Sequence, residues 1–280
     1  MRITLAQVDS TLGDIDANVA RAAEAIAEAV RASTDLIVFP ELHLTGYSVG
    51  RVDVDLSLRP DDERLLRLAK DAGGAGLVLG FVEAGGLHTY NSAAYYRDGQ
   101  LVHVHRKLYL PTYLDFEERK HFTPGTGLRA FPGGEAGKMA MLVCNDAWQP
   151  QLPFLATQDG ARMLLVPTTS AQSSFPERYD SRTYWRDITS FYGRMYQLFV
   201  VFVNRVGVEG DLRFWGGSHL VDPWGNVVAG ATEGTEDLVT VEVDIDDVRR
   251  RRRDIPLVKE ARLGLIRREV ERLLDEGGDF

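Results

Sequence analysis

The chain has 280 residues, of which 44% are hydrophobic and 26% charged, with a formal net charge of −9. That length and balance describe an ordinary globular protein able to bury a sizeable core without disulfides or metal staples. The acidic surplus opposes nonspecific nucleic-acid binding, no apolar run approaches the length of a membrane span, and a single cysteine excludes an internal disulfide.

The N-terminal stretch "MRITLAQVDSTLGD" lacks the apolar region and cleavage site of a secretory signal. With the lone cysteine, this predicts a cytoplasmic protein. The first element is "RITLAQV", which alternates and is rich in β-branched residues, as a strand does. In "DIDANVARAAEAIAEAVRAS" the apolar residues Val19, Ala23, Ile26 and Val30 form a helical stripe, with Asp14 or Asp16 available as a cap. "DLIVFP" follows as a short buried strand, so the order strand, helix, strand predicts a parallel βαβ unit.

Next, "DERLLRLAKDAG" reads as a helix stopped by Gly73 and Gly74, and "AGLVLGFVEA" as a strand. "TYNSAAYYRDG" and "LVHVHRKLYL" form a predicted hairpin. "KMAMLVC" is a buried strand, "PFLATQDGA" a helix and "RMLLVPTT" a strand. A helical pattern over 179–198 precedes the strand "LFVVFVNRVG". Further strands lie in "GGSHLVDPWGNVVAG" and "DLVTVEVDI". The arginine run Arg249 to Arg253 follows Asp244, Asp246 and Asp247, which partly compensate it; it reads as a solvated helix end or subunit contact. The last helix aligns Leu263, Ile266, Val270, Leu273 and Leu274 on one face, which needs cover from its own domain or a second subunit. With no linker or repeat, the reading is one α/β domain over 1–280, with 255–280 a C-terminal helix.

Walker A, G-x-S-x-G and H-E-x-x-H signatures are absent. The six histidines show no compelling metal spacing, although His103 and His105 share a strand face. Three apolar strands instead end on reactive side chains: "DLIVFPE" on Glu41, "VHVHRK" on Lys107 and "KMAMLVC" on Cys144. Sites gather at the carboxyl ends of strands in α/β proteins. If these strands neighbour one another and run alike, the three groups converge. A buried cysteine and a Glu–Lys ion pair are the plainer alternatives, and spacing does not decide between them.

At these residues the chain resembles the nitrilase superfamily, the carbon–nitrogen hydrolases. "FPELHLTGY", "HRKLYLPTY" with "FEERKHFTPG", and "LVCNDAW" are similar to its three signature blocks. The resemblance runs from "ITLAQVDSTLGDIDANVARA" through "NRVG" and "FWGGSHLVDPWGNVVA", nearly the whole chain. It implies a four-layer α-β-β-α sandwich, commonly dimerising, and therefore a homodimer or higher homo-oligomer. It also implies Glu41 as general base, Lys107 as electrostatic stabiliser, Cys144 as nucleophile and no cofactor or metal. The second glutamate of the family matches Glu118, with Glu117 an alternative. The backbone N–H of Asn145 is the expected second oxyanion donor.

True nitrilases tend to carry Cys-Trp-Glu where this chain has Cys144-Asn145-Asp146, which favours a small linear carboxamide over a nitrile. "CNDAW" and "LYLPTYLDFEERKHF" are closest in character to amidases and to glutaminase domains of glutamine-dependent NAD synthetases. Because the chain stops before a synthetase domain, a standalone amidase is expected. N-carbamoyl amino acid amidohydrolase and nitrilase are alternatives, and a partner-dependent glutaminase subunit or a non-catalytic scaffold are rivals of another class. Tyr47, Tyr113, Trp148, Thr169 and Ser170 are the candidate substrate-binding residues. Arg178, Arg182 and Arg186 lie at helical spacing, either for a substrate carboxylate or as a solvated face paired with Glu177 and Asp180.

Overall fold

Alternation sorts the first strand, β1 (Arg2–Gln7): Ile3 and Leu5 enter one apolar cluster and Ala6 another, on the opposite face. The structure, a computed structural model, describes residues 1–113 and 116–277. Helix α1 (Ile15–Arg31) is capped by Asp14, whose carboxylate accepts the Ala17 N–H. It returns the chain to β2 (Leu36–Val38), parallel to β1, as the predicted βαβ unit requires. Helix α2 (Glu63–Asp71) stops before Gly73, at φ +63°, and leads to β3 (Gly76–Gly85), parallel to β2. Antiparallel strands β4 (His88–Arg97) and β5 (Gln100–Arg106) complete the expected hairpin, with Asp98 and Gly99 both at positive φ.

The second half opens with β6 (Phe131–Pro132) and β7 (Lys138–Met141), followed by α3 (Gln151–Gln158), β8 (Ala161–Thr168), α4 (Ser181–Tyr196) and β9 (Phe199–Asn204). Strands β7, β8 and β9 are mutually parallel. A small hairpin, β10 (Val206–Glu209) with β11 (Leu212–Trp215), precedes β12 (His219–Val221), β13 (Val227–Gly230) and β14 (Asp237–Glu242). Helices α5 (Asp246–Asp254) and α6 (Leu263–Asp275) end the described chain.

Two six-stranded sheets result, ordered β14-β1-β2-β3-β4-β5 and β13-β12-β9-β8-β7-β6. Between them lies a cluster that includes Ile3, Leu5, Val38, Met141, Leu165 and Val201. Helices α1 and α2 cover the outer face of the first sheet, and α3 and α4 that of the second. The fold is a four-layer α-β-β-α sandwich of the nitrilase type. Since β2 and β3 run parallel while β4 and β5 each reverse, β2 and β5 point the same way. Their carboxyl ends, which carry Glu41 and Lys107, therefore lie at one edge.

Local differences from the sequence reading have physical causes. The segment read as one strand, "LFVVFVNRVG", breaks at Arg205, whose N–H bonds Thr168 while β10 leaves the sheet to pair with β11. The C-terminal helix begins at Leu263 and not at 255. Pro256 and a one-turn helix, Val258–Glu260, intervene, and a residue before proline disfavours helical backbone. No residue of α6 is buried. The arginine run forms the body of α5: Arg250 pairs with Asp244 and Asp247, while half-buried Arg252 donates to the carbonyls of Ala161 and Gln197.

Candidate active site

Glu41 sits in the turn after β2, 1% exposed. That turn lies directly against β3, and a Cβ on Gly80 would fall 2.4 Å from Pro40 O and 2.6 Å from Leu42 N. Only glycine allows the approach. Both carboxylate oxygens are hydrogen-bonded. Oε1 accepts Asn91 Nδ2 at 2.7 Å and Lys107 Nζ at 2.6 Å. Oε2 accepts the Thr169 N–H at 2.8 Å and the Thr169 hydroxyl.

Lys107 follows β5 and has no exposed surface. Its ammonium donates to Glu41 and, at 2.7 Å, to Glu118 Oε1. Burial works against the charge, but Glu118 and Glu41 outweigh it and hold the lysine well above its ordinary range. Two of its three N–H groups are thereby used by the carboxylates.

Glu118 opens a one-turn helix, Glu118–Lys120, and is 3% exposed. Burial raises its carboxyl to about 7, helped by Glu41 and opposed by Lys107. Oε1 also accepts the Tyr47 hydroxyl at 2.7 Å, while Oε2 has no hydrogen-bond partner among the described residues. Glu117, the other glutamate considered, is exposed and pairs with Lys120 at 2.6 Å.

Cys144 heads a five-residue 3-10 turn, Cys144–Trp148, beyond β7. Its φ of +46° is a left-handed conformation that a non-glycine residue keeps only when its surroundings enforce it. The residue is partly exposed and packs where two core clusters meet. Burial pushes the thiol well up, and Glu41 adds to this; Lys107 and a hydrogen bond from the Thr169 backbone act the other way.

The candidate substrate residues divide. The Tyr47 side chain is buried, its hydroxyl given to Glu118, and Thr169 holds Glu41. Ser170 donates its N–H to Asn204 and accepts Trp215 Nε1 at its hydroxyl. Tyr113 is half-exposed and donates to Asn145 Oδ1 at 2.8 Å. Trp148 joins an aromatic group with Tyr179, Tyr184 and Trp185. Arg182 and Arg186, both on α4, pair with Glu233, and Arg178 precedes that helix.

A polar cavity of about 450 Å³ opens beside this cluster, walled by Tyr47, Glu118, Arg51, His121, Gln172 and Asp211. Among the described residues no group of His, Cys, Asp and Glu is placed to hold a metal, and no helix is long and apolar enough to cross a membrane.

Sequence reasoning missed several residues. Asn91 carried one usable signal, a polar side chain inside the apolar strand "YNSAAYY". Glu209 had none: its carboxylate accepts the N–H groups of Tyr47 and Ser48 and pairs with buried Arg205 at 2.7 Å. Asp146 and His105 meet at 2.8 Å, both buried.

Residues 2–253 match the carbon–nitrogen hydrolase family. The chain is 34% identical over 250 residues to a glutamine-dependent NAD(+) synthetase of Thermotoga maritima, covering 88% of this chain and 42% of that protein. It therefore spans less than half of that relative's length. To an (R)-stereoselective amidase of a Pseudomonas species it is 32% identical, covering 97% and 95% of the two chains. To N-carbamoylputrescine amidase of Arabidopsis thaliana it is 28% identical, covering 89% and 88%. An amidase of the nitrilase superfamily from Nesterenkonia AN1 shares the fold, with a TM-score of 0.80 at 24% identity and 96% of each chain covered. With this coverage, and with two sheets stacked as in that amidase, the chain belongs to the carbon–nitrogen hydrolase family.

Proposed function

We propose that the protein hydrolyses the C–N bond of a small linear carboxamide, releasing ammonia and a carboxylate through a thioester on Cys144. The observation that carries this reading is the buried Glu41–Lys107–Glu118 cluster, whose charges act on the Cys144 thiol.

The steps follow from the chemistry of each group. Glu41 accepts the thiol proton as the sulfur bonds to the carbonyl carbon and the carbonyl electrons move onto oxygen. The oxyanion is met by the remaining Lys107 N–H and by the Asn145 backbone N–H, and loss of one such donor costs about 3–4 kcal/mol in the barrier. As the C–N bond breaks, Glu41 returns the proton to the leaving nitrogen, which departs as ammonia. Water then adds to the thioester, giving a proton to Glu41; as the C–S bond breaks, Glu41 returns that proton to the sulfur, the thiol is restored, and the acid product ionises to the carboxylate. Glu118 holds Lys107 in place throughout.

The polar cavity reaches the cluster at Glu118 and Tyr47, and its lining includes neither Cys144 nor Lys107. The likeness to N-carbamoylputrescine amidase keeps N-carbamoyl compounds among the substrates to be assayed. A second reading, a glutaminase that passes ammonia to a partner, is favoured by the 34% identity to a glutamine-dependent synthetase. Ammonia release from a panel of amides, glutamine, nitriles and N-carbamoyl amino acids separates these readings. Glutamine turnover that is slow alone and rises with a partner supports the second, and an effect independent of Cys144 supports a scaffold.

The partner that fits α6 is a second copy of the chain. Leu263, Ile266, Val270, Leu273 and Leu274 are all exposed on it, flanked by Arg267–Glu271 and Arg272–Glu269 pairs whose alternating signs are self-complementary.

A further inference from the structure

One buried carboxylate touches the chain on both sides of the site. Asp146 Oδ1 accepts the N–H groups of Leu108 at 2.9 Å and Tyr109 at 2.8 Å, the two residues directly after Lys107. Its Oδ2 accepts the Val143 N–H at 3.2 Å, directly before Cys144, and meets His105 Nε2 at 2.8 Å, two residues before Lys107. Asp146 has no exposed surface and His105 is 2% exposed. Three of the four contacts are backbone donors, so the carboxylate acts as an acceptor and His105 completes the set as an Nε2–H donor.

These contacts couple two segments that no strand pairing joins. Strand β5 is an edge strand of the first sheet, and β7 belongs to the second. The left-handed Cys144 backbone also needs enforcement, which the Asp146–Val143 contact supplies within the same tight turn. We infer that Asp146 is a positioning residue of the hydrolytic site, oriented by His105, and that it sets the separation between the Lys107 ammonium and the Cys144 sulfur. This rests on the hydrolase reading above but assigns a role that Glu41, Lys107, Glu118 and Cys144 do not fill.

Asp146→Asn keeps one acceptor for Leu108 and Tyr109 but turns an amide N–H₂ toward Val143 and His105, donor against donor. His105→Gln retains a donor at the Nε2 position, whereas His105→Phe removes it. The test compares these variants with the intact wild-type chain by kcat and KM on the amide the wild type turns over best. It adds the rate of Cys144 alkylation by iodoacetamide, and uses Tm and near-UV circular dichroism to confirm the folded fraction.

Misplacement by an ångström can cost about 100-fold, so Asp146→Asn is expected to lower kcat by that order with KM little changed. Alkylation, which reads the Lys107 field at the sulfur, is expected to slow at least about tenfold. His105→Phe follows in the same direction and His105→Gln restores most of the rate. If Asp146→Asn does not fold, the His105 pair decides. Folded Asp146→Asn with wild-type turnover and alkylation overturns the inference, as does His105→Phe with wild-type rates in a protein of lowered Tm. Absence of turnover in the wild type counts against the hydrolase reading alone, because alkylation still reads the positioning.

Discussion

Lys107 Nζ stands 2.6 Å from Glu41 Oε1, with both side chains fully buried, and Glu118 closes the arrangement on the other side at 2.7 Å. Removing the cation leaves two carboxylates facing each other out of water. Lys107→Met is therefore expected to abolish turnover and to destabilise the fold by about 3–5 kcal/mol. Urea denaturation checks this, and unchanged stability contradicts it.

The pH dependence of stability carries a signature of Glu118. Its folded carboxyl is raised from 4.5 to about 7. The proton is held more tightly in the folded chain, so the associated stability is complete below about 4.5 and is lost as pH rises through 7. The wild type minus Glu118→Gln difference in unfolding free energy is expected to decline across that interval; a flat difference is inconsistent with the raised carboxyl.

Glu209 acts with the opposite sign. Burial tends to raise it, but Arg205 and the N–H of Ser48 prevail and hold it below the usual carboxylate range. Its contribution is present at neutral pH and lost as pH falls through the depressed value. Glu209→Gln should lower Tm most at neutral pH and progressively less in acid. Because Glu209 fixes the Tyr47 backbone, the variant should also weaken turnover, measured as kcat at constant folded fraction.

Asn91→Ala removes one of the four donors to Glu41. A hydrogen bond to a charged group contributes about 1.5–3 kcal/mol, and a loss of that size in chemical denaturation is expected, with slower ammonia release. Wild-type behaviour in both assays contradicts the role given to Asn91.

A charge on the exposed face of α6 tests the proposed pairing of two chains. Ile266→Asp with Leu273→Asp is expected to convert a two-chain species into a single chain by light scattering, without loss of fold, because neither residue is buried within the chain. A wild-type protein that is already a single chain at working concentrations contradicts the pairing.

Much of the candidate site was legible because chemistry and periodicity coincide locally. Glu41, Lys107 and Cys144 each end an apolar run, and the βαβ order implied that such ends could align. Glu118 came from its place in the "FEERKHF" block. What stayed hidden are relationships across the chain. Asn91 reaches Glu41 over 50 positions, Asp146 reaches Leu108 over 38, and Glu209 reaches Tyr47 over 162. No local pattern encodes such pairings, since they exist only once the two sheets are stacked. For the same reason the sequence did not show that the polar atoms of Tyr47 and Thr169 hold Glu118 and Glu41. The stripe on α6 was plain from its spacing, but periodicity shows only that a face needs cover.

The most direct test of the account is ammonia release from the amide panel, run on the wild type and on Cys144→Ala with Tm recorded for both. The account predicts release from a subset of small amides that Cys144→Ala abolishes while Tm stays nearly unchanged. Release that persists in Cys144→Ala, or a large fall in Tm with activity retained, contradicts the assignment of Cys144 as the nucleophile.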